Sequence, residues 1–199
     1  MGEFTHKNHI ARTTKTTKTI TGLKAQAYSV TVTDVNGCTS VANDTIREPA
    51  KLVVNILSQE NVKCNGGNDG SATASVIGGI IPYKYSWNTT PAQTAIQVIN
   101  LIADTFQVTV TDSNNCKASK SVIITQPTAL TAGTVKTNVS CTGGDDGTST
   151  VTAGGGTTPY TYLWNTNPPQ TSAKAVTLIA DTFSVTVTDS NNCKITKSV

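Results

Sequence analysis

Five cysteines are the residues of this chain best suited to chemistry: Cys38, Cys64, Cys116, Cys141 and Cys193. Zinc fits them poorly, because there is no Cys-x-x-Cys pair and both histidines, His6 and His9, lie near the amino terminus. Nucleophilic catalysis also lacks its parts, since no histidine beyond His9 can serve a Ser/His/Asp or Cys/His arrangement. Next come two acidic, glycine-rich stretches, GGNDG at 66–70 and GGDDG at 143–147. They look like calcium loops, with Asp69, Asp145 and Asp146 as ligands and Asp112 and Asp189 added from neighbouring turns. Calcium takes about six to eight oxygens, usually with several carboxylates, and these stretches are thin by that measure. The leading reading is therefore a tight turn whose Asp accepts hydrogen bonds from local amides, with no cofactor. Calcium is the alternative. The third group is Tyr83-x-Tyr85-x-Trp87 and its copy Tyr160-x-Tyr162-x-Trp164. It is either one buried face of a strand or a platform for stacking on sugars, and strict alternation favours the core.

Each candidate occurs more than once, at a fixed interval. Cys64 and Cys141, Trp87 and Trp164, Pro82 and Pro159, Phe106 and Phe183, and Cys116 and Cys193 are all 77 positions apart. Cys38 to Cys116 and Pro49 to Pro127 are 78. An active site needs one special copy, so this repetition argues against an enzyme. The period divides the chain into a complete repeat at 50–127 and a repeat at 128–199 that lacks the end of its last strand. Residues 23–49 match only the carboxy-terminal part of a repeat, and residues 1–22 align with nothing. The two strands expected in 23–49 are marginal alone. They should borrow a partner from residues 8–21, the neighbouring repeat or another molecule.

The elements that position these residues are short strands. TFQVTVTD puts Phe106, Val108 and Val110 on one face and Gln107, Thr109 and Thr111 on the other, and SNN or NG then turns the chain. Ser71–Gly79, the Tyr83–Trp87 strand, Thr94–Leu101, the return after Cys116 and a first strand in 51–64 bring the count to six or seven. No helical stripe appears. The expected fold is all-β: tandem immunoglobulin-like sandwiches, with Trp87 and Trp164 filling their cores.

Charge narrows the partners. Charged residues make up 14% of the chain, against about 25% for an average soluble domain. The basic excess clusters in His6, Lys7, His9, Arg12, Lys15, Lys18 and Lys24, a threonine-interleaved terminal run without base-stacking aromatics. It reads as a solvated tail, and nucleic acid is not expected. No apolar run approaches the length of a membrane span, so no membrane insertion is expected. MGEFTHKNHI has no apolar signal-peptide region. MGEF fits residues left by an expression vector, so the missing signal leaves the compartment open.

The segment CNGGNDG, the segment GGIIPYKYSWN and the segment FQVTVTDSNNC, in that order in the repeat at 50–127, resemble the SprB-type repeat of Bacteroidota gliding-motility adhesins. CTGGDDG, GGTTPYTYLW and FSVTVTDSNNC repeat the pattern in 128–199, while 23–49 carries only its close. One departure is Asp104-Thr105-Phe106 and Asp181-Thr182-Phe183 where that family has Gly-x-Tyr. The resemblance implies a very large secreted protein, exported by the type IX system, located extracellularly at the cell surface and not catalytic.

A secreted β-repeat implies a disulfide framework. Each full repeat has two cysteines 52 positions apart, so Cys64–Cys116 and Cys141–Cys193 are the simplest pairs, with Cys38 left odd. If those pairs lie at opposite poles of a sandwich, beyond the 7 Å or so that a bridge spans, bridges between adjacent repeats replace them (Cys116–Cys141, or Cys64–Cys193). Free buried thiols are the third option. The expected function is a stiff adhesive spacer whose partners are its own neighbouring repeats, other copies in a filament, and a surface or polysaccharide. The alternative is a carbohydrate-binding module of a secreted enzyme.

Overall fold

The computed structural model describes residues 3–7 and 18–199. Among them every regular element is a β-strand. The chain forms two compact units, Met1–Lys51 and Leu52–Val199.

In the first unit, β1 (Glu3–Lys7), β2 (Gln26–Thr33) and β3 (Thr39–Ile46) form one antiparallel sheet in the order β1-β2-β3. Glu3 lies opposite Thr33 and Lys7 opposite Ser29. The partner of the two-stranded remnant is thus residues 3–7, inside the segment expected to be a solvated tail. The physical reason is that an unpaired β2 edge would leave a row of N–H and C=O groups open, and a short strand satisfies it. His9, Arg12 and Lys15, and most of the expected partner segment 8–21, lie outside the described residues; Lys18 and Lys24 are exposed.

The second unit holds two sandwiches. In the first, β4 (Val53–Glu60), β5 (Gly70–Ile77) and β7 (Gln97–Leu101) make one sheet, and β6 (Lys84–Trp87), β8 (Asp104–Thr111) and β9 (Lys117–Ile124) the other. The second repeats this with β10 (Thr131–Thr137), β11 (Gly147–Gly154) and β13 (Lys174–Leu178), facing β12 (Thr161–Trp164), β14 (Ser184–Thr188) and β15 (Lys194–Ser198). These are the A-B-E and C-F-G sheets of an immunoglobulin-like domain, without a D strand.

Alternation builds the core. Phe106, Val108 and Val110 of β8 face inward, as do Val185 and Val187 of β14. Trp87 and Trp164 end β6 and β12 and are 1% and 0% exposed. Each indole Nε1–H donates to a carbonyl, Ala95 O and Ser172 O, at 3.0 Å. The tyrosines are partly buried against the same cores. Tyr83 donates its hydroxyl to Gly78 O at 2.7 Å, and Tyr160 to Gly155 O at 2.5 Å. No sugar could stack on either indole, so the platform reading is corrected: a small sandwich needs its largest side chains inside.

β6 and β7 are half-length, with four and five residues against eight in β5 and β8. β6 pairs with the outer half of β8, Lys84 opposite Thr111 and Trp87 opposite Val108. β7 pairs with the opposite half of β5, Gln97 beside Thr73 and Leu101 beside Gly70. Together they make a single traverse of the sandwich, with residues 88–96 switching sheets midway. The strand expected over Thr94–Leu101 therefore begins only at Gln97.

Candidate functional site

Each sandwich has two poles, and the cysteines mark them. At one pole is the β8–β9 hairpin. Asp112 organises it: Oδ1 accepts from the backbone amides of Asn114 at 2.9 Å and Cys116 at 2.8 Å, while Oδ2 accepts from Ile80 at 3.0 Å. Asp189 does the same for Asn191, Cys193 and Thr157, each at 2.9 Å. Asp34 holds Asn36 and Cys38 in the first unit. Asn115 and Asn192 take φ of 64° and 66° in these turns, a conformation asparagine tolerates. Gly79 and Gly156 must lack a side chain here, because an added Cβ would come within 3.0 Å of Asp112 Oδ2 or 2.7 Å of Asp189 Oδ2.

At the other pole is the loop that follows the opening strand. Asp69 Oδ1 accepts from Lys63 N–H at 3.1 Å, and Gly67 N–H donates to Cys64 O at 2.9 Å. In the second sandwich Asp146 Oδ1 accepts from Ser140 N–H at 2.9 Å, its Oδ2 accepts from Ser140 Oγ at 2.6 Å, and Gly144 N–H donates to Cys141 O at 3.0 Å. This pole also receives the end of β9: Val62 N–H donates to Thr125 O, Gly66 N–H to Gln126 Oε1, and Asn65 Nδ2 to Pro127 O.

Asp112 could add to a calcium loop around Asp69 only if the two met, and the structure keeps them apart. β9, eight residues long, separates the poles, and at about 3.3 Å per residue that is roughly 25 Å. Asp112 and Asp189 turn both oxygens toward backbone amides, and Asp145 is exposed beside Asp146. Among the described residues no group of three or more His, Cys, Asp or Glu could hold a metal.

Burial alone would raise the Asp112 carboxyl, but the amides of Ile80, Cys116 and Asn114 outweigh it and hold the group below the usual carboxylate range. For Asp146 the Ser140 hydroxyl, then the Ser140 amide, does the same. A depressed folded pKa contributes stability that is present above the unfolded value near 3.9 and lost as pH falls through the folded one. Acidification should therefore release the Asn114 and Cys116 amides before the β8–β9 ladder opens. Hydrogen exchange across an acid titration checks this, and Asp112→Asn should show the released pattern already at neutral pH.

The same 25 Å or so separates Cys64 from Cys116, so the two cysteines of one repeat cannot bond. The structure instead joins Cys64 to Cys193 of the next sandwich, with Cα atoms 5.7 Å apart. This corrects the simplest expectation, the intra-repeat pairs Cys64–Cys116 and Cys141–Cys193. The hairpin of the second sandwich docks on the loop of the first. Asn191 Nδ2 donates to Lys63 O at 3.0 Å, and Cys193 Sγ lies 3.5 Å from the same oxygen. Asn191 also reaches Thr157 Oγ1 at 3.1 Å, and Ser190 N–H donates to Thr157 O at 2.9 Å, which ties the hairpin to its own sandwich. Asn191, Thr157, the Lys63 carbonyl and the Asn65–Pro127 clasp were not singled out from sequence. The one available signal was the Asn two places after each hairpin Asp: Asn36, Asn114 and Asn191. Cys38, Cys116 and Cys141 carry exposed free thiols.

The family model described as SprB repeat matches residues 56–91 and 133–169. Two stretches of this chain match the SprB repeat. Each match runs from the opening strand, through the cysteine loop and the buried tryptophan, to the turn that follows β6 or β12. No curated protein matches the chain. Among solved structures, the chain is similar to the N-terminal eight Ig domains of Down Syndrome Cell Adhesion Molecule isoform 1.30.30, at 9% identity and a TM-score of 0.43, covering 98% of this chain and 32% of that one. It is also similar to Sidekick-1 immunoglobulin domains 1–5, at 8% identity and a TM-score of 0.38, covering 99% and 51%. A Dscam structure on isoform specificity gives 12% identity and a TM-score of 0.32, covering 87% and 53%. The chain thus spans about half or less of each of these three chains.

Proposed function

We propose that these SprB-type repeats form a non-catalytic, load-bearing spacer and contact array in a cell-surface adhesin. The family match supports the surface setting, since SprB repeats occur in cell-surface proteins. The observation that carries the mechanical part is the covalent joint. Cys64–Cys193 bypasses a sequence separation of 129 residues, so tension entering along β4 leaves through β15 without crossing the strands between. An array built this way holds its reach under load, and weak contacts repeated along it add by avidity.

Pulling the chain from its ends tests the reading. The oxidised chain should release no length from residues 64–193 even when its sandwiches unfold. After reduction it should release about 400 Å more, the extended length of that segment at roughly 3.3 Å per residue. Equal extension before and after reduction would sink the spacer mechanism. With both indoles buried, nothing favours the sugar-platform module as a second reading.

A further inference from the structure

The loop that holds Cys141 is built like the loop that holds Cys64. Both have the Asp-to-amide bond ahead of the cysteine, Asp146 to Ser140 and Asp69 to Lys63, and both have the glycine amide on the cysteine carbonyl. Cys64 shows what such a loop binds: a hairpin with Asn two places and Cys four places after its organising Asp. The chain contains that hairpin three times, and only the Cys193 copy is engaged. The copies at Cys38 and Cys116 have the same Asp cage and exposed thiols.

We propose that the Cys141 loop is the receiving half of a second joint, and that its ligand is the Asp-x-Asn-x-Cys hairpin of another SprB-type repeat. The ligand's Asn side chain would donate to Ser140 O, as Asn191 does to Lys63 O, and its cysteine would bond Cys141. A second copy of this chain presents such a hairpin at Cys116 or Cys38. Bond formation is thiol–disulfide exchange with a small-molecule disulfide as oxidant. The Cys141 thiolate attacks oxidised glutathione and displaces one glutathione thiolate. The hairpin thiolate then attacks the mixed disulfide at the Cys141 sulfur and displaces the second. Two thiols are oxidised, one disulfide is reduced to two glutathiones, and the two thiol protons balance the two departing thiolates.

The test is to incubate the chain, with Cys64–Cys193 intact, in a glutathione redox buffer. Protein is held near the millimolar effective concentration that a short linker supplies. Products are read on a non-reducing gel and by peptide mass spectrometry. The expected result is a head-to-tail ladder containing Cys141–Cys116 or Cys141–Cys38 between chains, lost in Cys141→Ser. Asn36→Ala with Asn114→Ala should slow the ladder without changing the melt of either sandwich. Persistent monomers would overturn the proposal. So would dimers bridged only Cys141–Cys141, which is random oxidation of exposed thiols, or a Cys141–Cys116 bond within one chain.

Discussion

Cys64→Ser is expected to lower the unfolding free energy of the second sandwich by about 4–5 kcal/mol, the largest effect of any single exposed-pole change. The bridge closes a loop with a sequence separation of 129 residues. In the chain-entropy picture, a cross-link of that span removes close to 5 kcal/mol of freedom from the fully unfolded chain. The figure barely falls if the first sandwich stays folded. Asn65 then still holds Pro127 O beside the bridge, so the unfolded segment from Pro127 to Cys193 remains a closed ring of roughly half the length, and loop entropy depends only on the logarithm of length. Against this stands a domain of ordinary stability, at roughly 0.05–0.15 kcal/mol per residue. The bridge is thus comparable to everything else that holds the second sandwich. Urea unfolding followed by peptide-level hydrogen exchange checks it, with Cys193→Ser giving the same loss and Cys141→Ser none. A Cys64→Ser chain whose second sandwich keeps its oxidised midpoint would mean that the joint is a contact without thermodynamic weight.

Most of the fold was legible because it rests on local alternation. The 77-residue period, the inward Phe106, Val108 and Val110, and the buried Trp87 and Trp164 follow from side-chain type at period two. The joint was legible only as an alternative: Cys64–Cys193 stood beside the intra-repeat pairs, and geometry decides between them. Read from sequence, β5, β6, β7 and β8 look like four traverses between Cys64 and Cys116. Four full traverses would return the chain to the pole it left and allow an intra-repeat bridge, whereas opposite poles forbid one. In the structure β6 and β7 are halves of one descent split between two sheets. Three traverses place Cys116 at the far pole. Alternation marks a strand's existence and faces, but it says little about length or about which sheet a strand joins, and cysteine pairing depends on both. The strand at Glu3–Lys7 was missed for a related reason: it is recruited by the open edge of β2, and nothing in its own sequence announces that.

Trp164→Ala is expected to unfold the second sandwich and leave the first intact. The indole is 0% exposed and packs with Val151, Ala175, Leu178, Val185 and Val187. Truncating a buried Trp costs about 3–5 kcal/mol in transfer and cavity terms. The change also strips Ser172 O of its donor, an unsatisfied carbonyl worth about 1–3 kcal/mol where water cannot replace the bond. Trp87 is enclosed in the same way in the first sandwich, with Val98, Leu101, Val108 and Val110. Hydrogen exchange should show β12, β14 and β15 unprotected while β6, β8 and β9 keep their protection, with the Cys64–Cys193 tether still formed. Trp87→Ala should put the same cost on the first sandwich and lower its melt. A sugar-stacking tryptophan predicts the opposite pattern, an unchanged melt with glycan binding lost. A Trp164→Ala chain that melted as before would overturn the core assignment on which the two-sandwich description rests.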